Sequence, residues 1–115
     1  MNAQELYERG FELRCSGSYG EAKKILQQAL SIEPGHADAQ WQLGLIEGFE
    51  GDFDGSTATL ARVVEEYPDH VGARYDLAMT LMMLGMEAEA CAHFQEVLRL
   101  SPDHEKAKQQ IIYCQ

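Results

Sequence analysis

The sequence predicts an all-α fold: three antiparallel helix pairs stacked in chain order, followed by a capping helix. Two observations lead to this. First, Pro34, Pro68 and Pro102 stand 34 residues apart, as do Gly17, Gly51 and Gly85, and His36, His70 and His104. Looser rows keep the same period: Gly10, Gly44, Ala78; Ala22, Ser56, Ala90; Leu26, Leu60, Phe94; Tyr7, Trp41, Tyr75. A fixed period of roughly 20–50 residues marks a repeat architecture, in which each unit buries its apolar face only by stacking on its neighbours. Second, apolar residues within each period recur at helical spacing, and there is no alternating β-branched run or hairpin dipeptide between strand-like residues.

The elements follow in order. The second unit is the clearest: a helix over 37–50 ends at "EGD", where Gly51 supplies the left-handed residue that closes a helix. Asp52 then caps a helix over 53–66, and Pro68, which cannot continue a helix, ends the unit. The same parse places helices at 3–16 and 19–32 before it, and at 71–84 and 87–100 after it. The amphipathic segment 103–114, "DHEKAKQQIIYC", covers the open end of the stack. The expected organisation is one domain, 1–115, with repeats at about 3–36, 37–70 and 71–104 and a capping helix at 103–114.

A 34-residue helix–turn–helix unit marked by "QLG", "EGD", a small residue in its second helix and a terminal proline ("YPDH") resembles the tetratricopeptide repeat. The third copy repeats the pattern as "YDLA", "LGMEAEA" and "LSPDH", and the resemblance spans nearly the whole chain. It implies a right-handed α-solenoid whose concave groove is lined by the first helix of each pair. It also implies close helix approach where Gly10, Gly44 and Ala78 face Ala22, Ser56 and Ala90. The pattern departs from the family where a large aromatic often precedes the glycine by four residues, since Leu6, Gln40 and Arg74 stand there. The aromatic row comes one residue later, a shift of about 100° around the helix.

Nine Lys and Arg against nineteen Asp and Glu give a formal charge of −10. That balance excludes a nucleic-acid face and disfavours anionic membranes, while favouring partners that carry basic residues. Cys15, Cys91 and Cys114 are odd in number and form no CxxC or CxxH spacing, so neither a disulfide framework nor a zinc site is expected. A reducing, cytoplasmic location follows from that reading, together with the absence of a cationic leader or a long apolar span.

The histidines invite a test for metal or catalytic chemistry. His36, His70 and His104 recur once per unit, roughly 10 Å apart if repeats stack at helix-packing distance. Zinc ligands lie about 2.0–2.1 Å from the metal, so this ladder does not close on one ion. His93 has no Cys or Asp at ligand spacing. There is no GxSxG, HExxH or glycine-rich phosphate loop, and "EGDFDG" is not followed by the glutamate that a calcium loop requires. The expectation is a non-enzymatic protein without metal or cofactor.

What stands out instead is apolar excess on the first helices. Ala39, Leu43 and Ile46 form one stripe, while Trp41, Leu45 and Phe49 form another on roughly the opposite side. Tyr75, Met79, Met82 and Met83 repeat the second stripe, and Tyr7 and Phe11 begin it. The resemblance places this stripe on the concave side, making these nine residues the candidate peptide-binding set. For Tyr7, Trp41 and Tyr75, packing between repeats is an equal alternative. The family's carboxylate clamp for acidic chaperone tails is absent, because the matching positions hold Tyr7, Phe11, Gln42, Gly72 and Asp76. The expected partner is therefore a protein or peptide with an apolar segment, with flanking Lys or Arg available to Glu8, Asp38 and Asp76. The alternative is a self-associating, homo-oligomeric structural module, or a slice of a longer array regulating a larger protein.

Overall fold

A computed structural model describes residues 1–114, and among these every regular element is helical. The helices are α1 (Ala3–Cys15), α2 (Tyr19–Ile32), α3 (Ala37–Phe49), α4 (Phe53–Glu66), α5 (Val71–Met83), α6 (Glu87–Leu100) and α7 (Glu105–Ile111). A 3₁₀ turn, Ile112–Cys114, follows α7. The most extensive packing is within the pairs α1–α2, α3–α4 and α5–α6, and adjacent pairs join through α2–α3 and α4–α5. In addition α1 touches α3 and α3 touches α5, whereas no comparable contact joins α2 to α4 or α4 to α6 among the described residues. The first helices are thus the closer-packed, inner layer of a curved stack that measures 46 × 26 × 22 Å.

The glycine row sets the sharp ends of the inner helices. Gly17, Gly51 and Gly85 have φ of 84°, 89° and 81°, a region that side-chain-bearing residues rarely adopt. Each ends its helix with the same pair of backbone bonds. Gly51 N–H donates to the Gly48 carbonyl at 3.0 Å and Asp52 N–H to the Glu47 carbonyl at 2.9 Å, which satisfies carbonyls the helix would otherwise leave open. These helices stop one residue earlier than the spacing predicts, because Ser16, Glu50 and Leu84 serve as the C-cap. Asp52 caps α4 as expected, its Oδ1 accepting from Gly55 N–H at 2.9 Å.

Close approach within the pairs occurs at Gly10 and Gly44, beside Ala22 and Ser56 as the sequence suggests, with Leu26 and Leu60 closer still. A Cβ on Gly10 would stand 2.7 Å from Leu26, and one on Gly44 2.8 Å from Leu60. Ser56 adds a hydrogen bond to this approach: its hydroxyl donates to the Gly44 carbonyl at 2.8 Å, which ties α4 to α3. Gly44→Val is therefore expected to destabilise the fold by about 1–3 kcal/mol through overpacking. Gly20→Ala, where nothing lies within 4 Å of a new Cβ, should be neutral or stabilising. Urea unfolding of the two variants checks the contrast.

Two expectations at the C-terminal end need correction. The capping helix begins at Glu105 rather than at 103, because Asp103 still lies in the turn after Pro102 and His104 is the N-cap. The second correction concerns the cysteines: Cys91 on α6 and Cys114 in the 3₁₀ turn form a disulfide, with Cα atoms 5.7 Å apart. The pair lies 23 residues apart and matches no short motif. It becomes adjacent only because the final segment folds back onto α6, with Ile111 and Cys114 against the C-terminal core. Cys15 alone is free, so the cysteine argument for a reducing compartment lapses. Among the described residues no helix is long and apolar enough to cross a membrane.

Candidate functional site

The aromatic row and the histidine row meet at each junction between units. Tyr7 lies against His36, Trp41 against His70 and Tyr75 against His104, each pair with ring centroids 5.0 Å apart. The histidines are helix caps. Nδ1 of His36 accepts from Ala39 N–H at 3.1 Å, that of His70 from Ala73 N–H at 3.0 Å, and that of His104 from Ala107 N–H at 3.1 Å. An accepting Nδ1 leaves the ring proton on Nε2, which faces Gln4 Oε1 at 3.0 Å in the first junction and Asp38 Oδ1 at 2.7 Å in the second. The corresponding position of the third junction is Gly72. This capping role was left unidentified by the sequence argument against a shared metal. Ala39, Ala73 and Ala107, which supply the capped N–H groups, form an exact row of their own and are buried.

Gly72 and the larger ring at Trp41 belong together. A Cβ on Gly72 would stand 2.6 Å from the indole, so the glycine makes room for tryptophan; at the same offset from Tyr7 and Tyr75 the sequence has Asp38 and Lys106. The indole Nε1–H donates to Asp76 Oδ2 at 2.7 Å, which binds α3 to α5. Trp41 is thus positioned between repeats, with its polar edge directed at a half-buried carboxylate on the inner face. Burial pushes the Asp76 carboxyl above the ordinary carboxylate range, although the Trp41 bond and the fields of Lys106, Arg14 and His70 act to lower it.

That shift carries a pH signature. The folded protein holds the Asp76 proton more tightly than the unfolded chain does, so this residue's contribution is most favourable below the unfolded carboxylate range. The contribution falls as pH rises towards the folded titration and stays low above it. Asp76→Asn keeps an acceptor for Trp41 and removes this dependence. The variant is expected to melt higher than the wild type at neutral pH, with the gap closing on acidification. Thermal unfolding across that pH range checks it.

Beside Asp76 a cavity of about 210 Å³ opens between α3 and α5, and Phe53 and Ser56 of α4 complete its wall. Leu45, Phe49, Met79 and Met83 line it together, with Gly48 and Thr80. Phe49 is 56% exposed and Met83 64% exposed, large values for apolar side chains. Four of the nine anticipated residues therefore converge on one cavity. Phe11 lies elsewhere on the inner face, 39% exposed, under the Arg14 guanidinium at 5.2 Å. Arg14 also stands 5.8 Å from the Phe49 ring and donates through Nε to Gln42. Met82 and Tyr75 pack against the C-terminal core, and Tyr75 also contacts Phe94 with centroids 5.9 Å apart. Of the three acids expected to meet a basic flank, Asp38 is engaged by His70 and Glu8 accepts from Gln4, leaving Asp76 as the one in the cavity wall.

His93 accepts from, or is approached by, the Arg74 guanidinium at 3.1 Å, and burial followed by that charge lowers its pKa. Among the described residues no three His, Cys, Asp or Glu side chains converge as a metal set.

A stack of paired helices on a 34-residue period, with an open apolar inner face, defines a repeat scaffold for protein contacts. The tetratricopeptide repeat family model matches residues 50–111, more than half of the chain, and a second such model matches 6–36; the chain belongs to this family. The first TPR of Spaghetti (RPAP3), solved bound to the HSP90 peptide SRMEEVD, superposes with a TM-score of 0.92 at 18% identity, covering 97% of this chain and 91% of that one. YrrB, described as a TPR protein with an unusual peptide-binding site, gives 0.82 at 24% identity, covering 96% of this chain and 57% of that one. At these identities the likeness is one of fold. In sequence, the chain is 33% identical over 91 residues to anaphase-promoting complex subunit 7 of Arabidopsis thaliana. That match takes in 76% of this chain and spans only 16% of the subunit.

Proposed function

We propose that this chain is a non-enzymatic scaffold that binds an apolar segment of a partner protein on its inner face, centred on the α3–α5 cavity. The observation that carries the reading is the convergence of Leu45, Phe49, Met79 and Met83 on one open cavity, with Phe49 and Met83 exposed. Methionines adapt to irregular apolar surfaces, and an exposed aromatic ring supplies the type of anchor that dominates interface energies. Phe11 extends the surface toward the first repeat. Trp41, Tyr7 and Tyr75 contribute by holding the repeats in register, and Trp41 also fixes Asp76.

Ligand choice differs from that of the HSP90-peptide complex. SRMEEVD is acidic. Here the clamp positions hold Tyr7, Phe11, Gln42, Gly72 and Asp76, on a chain of net charge −10. An acidic tail would meet like charge and no basic grip.

The test is selection of random peptides of about twelve residues, long enough for three helical turns. Selection is run in parallel on the wild type and on the double variant Phe49→Ala with Met83→Ala. Peptides with large apolar residues at regular spacing should be enriched on the wild type and lost on the variant. Equal enrichment on both, or enrichment of acidic tails, contradicts the reading. Sedimentation over a range of concentrations addresses the alternative, self-association, which predicts a dimer that the double variant dissociates.

A further inference from the structure

We propose that the α3–α5 cavity receives the side chain of one lysine of the bound segment, with its methylenes against Leu45, Phe49, Met79 and Met83 and its ammonium on Oδ1 of Asp76. This rests on the groove reading above and names the chemistry that the groove selects.

Asp76 is the one charged residue among those lining the cavity; the others are apolar, glycine or hydroxyl-bearing. Its two oxygens are not equivalent. Oδ2 is taken by the Trp41 indole at 2.7 Å, whereas Oδ1 accepts no hydrogen bond from the described residues. No ion pair among those residues involves Asp76. Lys106, Arg14 and His70 act on Asp76 through their fields without pairing with it, and Arg14 is held over Phe11 and Phe49 with its Nε on Gln42. The carboxylate thus stands half-buried in the wall of an apolar cavity, with one oxygen free of hydrogen bonds from the described residues. A charge in that position interacts with an incoming cation more strongly than it would in bulk water.

Size and geometry select the guest. A volume of about 210 Å³ lies below the usual 300–1,000 Å³ of drug-sized sites, so one long side chain fits and a helix face does not. Lysine carries an apolar stem behind a compact point charge. Arginine is the poorer match: its planar fork is suited to both oxygens of a carboxylate, and here one is occupied. The net charge of −10 also favours approach of a basic segment.

The experiment uses three acetylated, amidated helical peptides that share an alanine–glutamine host with one leucine a turn to either side of a central position. That position is lysine, norleucine or arginine, and binding is read by fluorescence anisotropy on the wild type and on Asp76→Asn. Asparagine still offers the indole an acceptor, and a cooperative melt at or above the wild-type temperature confirms that the variant is folded. The expected result is lysine over norleucine by about tenfold on the wild type, the scale of a charge-assisted hydrogen bond. Arginine should be weaker than lysine. On Asp76→Asn the lysine preference should vanish while norleucine binds unchanged. Equal binding of lysine and norleucine to the wild type overturns the lysine assignment and leaves the groove standing. Arginine outcompeting lysine overturns the single-oxygen geometry. Binding of none of the three overturns the assignment and the groove together.

Discussion

Trp41→Ala is expected to lower the unfolding free energy by about 3 kcal/mol, the lower end of the range for losing a large aromatic from a packed site. Three contacts go at once. The indole fills the space that Gly72 leaves open, lies against His70 with centroids 5.0 Å apart, and donates to Asp76 at 2.7 Å. Its loss leaves a void between the second and third units and a half-buried carboxylate without its donor. Trp41→Phe separates the terms: the ring keeps most of its packing and loses the hydrogen bond, so a smaller loss of about 1 kcal/mol is expected. Urea unfolding of both variants is the measurement. Unchanged stability in Trp41→Ala, with partner binding abolished, would make the indole a binding anchor and contradict its placement between repeats.

The second large effect is on binding. Phe49→Ala with Met83→Ala should weaken selected peptides by about 2 kcal/mol or more, roughly thirtyfold, because truncating an aromatic anchor and its neighbour removes the core of the contact. Both side chains are more than half exposed, so the fold should lose little. Phe49 does stack on Tyr19 with centroids 5.7 Å apart, which makes a small stability loss the expected side effect. Titration of the selected peptides into both proteins, with melting curves alongside, distinguishes a lost site from a lost fold.

Much of the fold was legible because each unit repeats its punctuation. The rows at Gly17, Gly51 and Gly85 and at Pro34, Pro68 and Pro102 place helix ends to within a residue or two, since positive φ and a missing N–H are local demands. The contacts between units were harder to see. Trp41 reaches Asp76 across 35 residues and His70 reaches Asp38 across 32, so neither pair shares a row. The departure at Gly72, where the earlier copies hold Gln4 and Asp38, was the visible trace of the tryptophan beside it. The Cys91–Cys114 bond left no trace of that kind, because it depends on how the last segment folds back rather than on a repeated position.

Within the candidate site, helical spacing grouped Leu45 with Phe49 and Met79 with Met83, and the close contact of α3 with α5 brings both pairs to one cavity. Spacing could not separate those four from Trp41 or Tyr75. Trp41 and Tyr75 lie one turn before Leu45 and Met79 on the same stripe, and only the neighbouring unit decides which turn of it is covered.

The methionines offer the most direct test of the central claim. In protein labelled with carbon-13 at the methionine methyls, the groove reading divides the five residues into those that respond to a selected peptide and those that do not. Met79 and Met83 line the cavity and should shift together and show contacts to the peptide's apolar side chains. Met82, packed on the C-terminal core, and Met1, at the other end of the stack, should stay in place. Shifts confined to Met1 or Met86, or peptide contacts that bypass Met79 and Met83, would contradict the account.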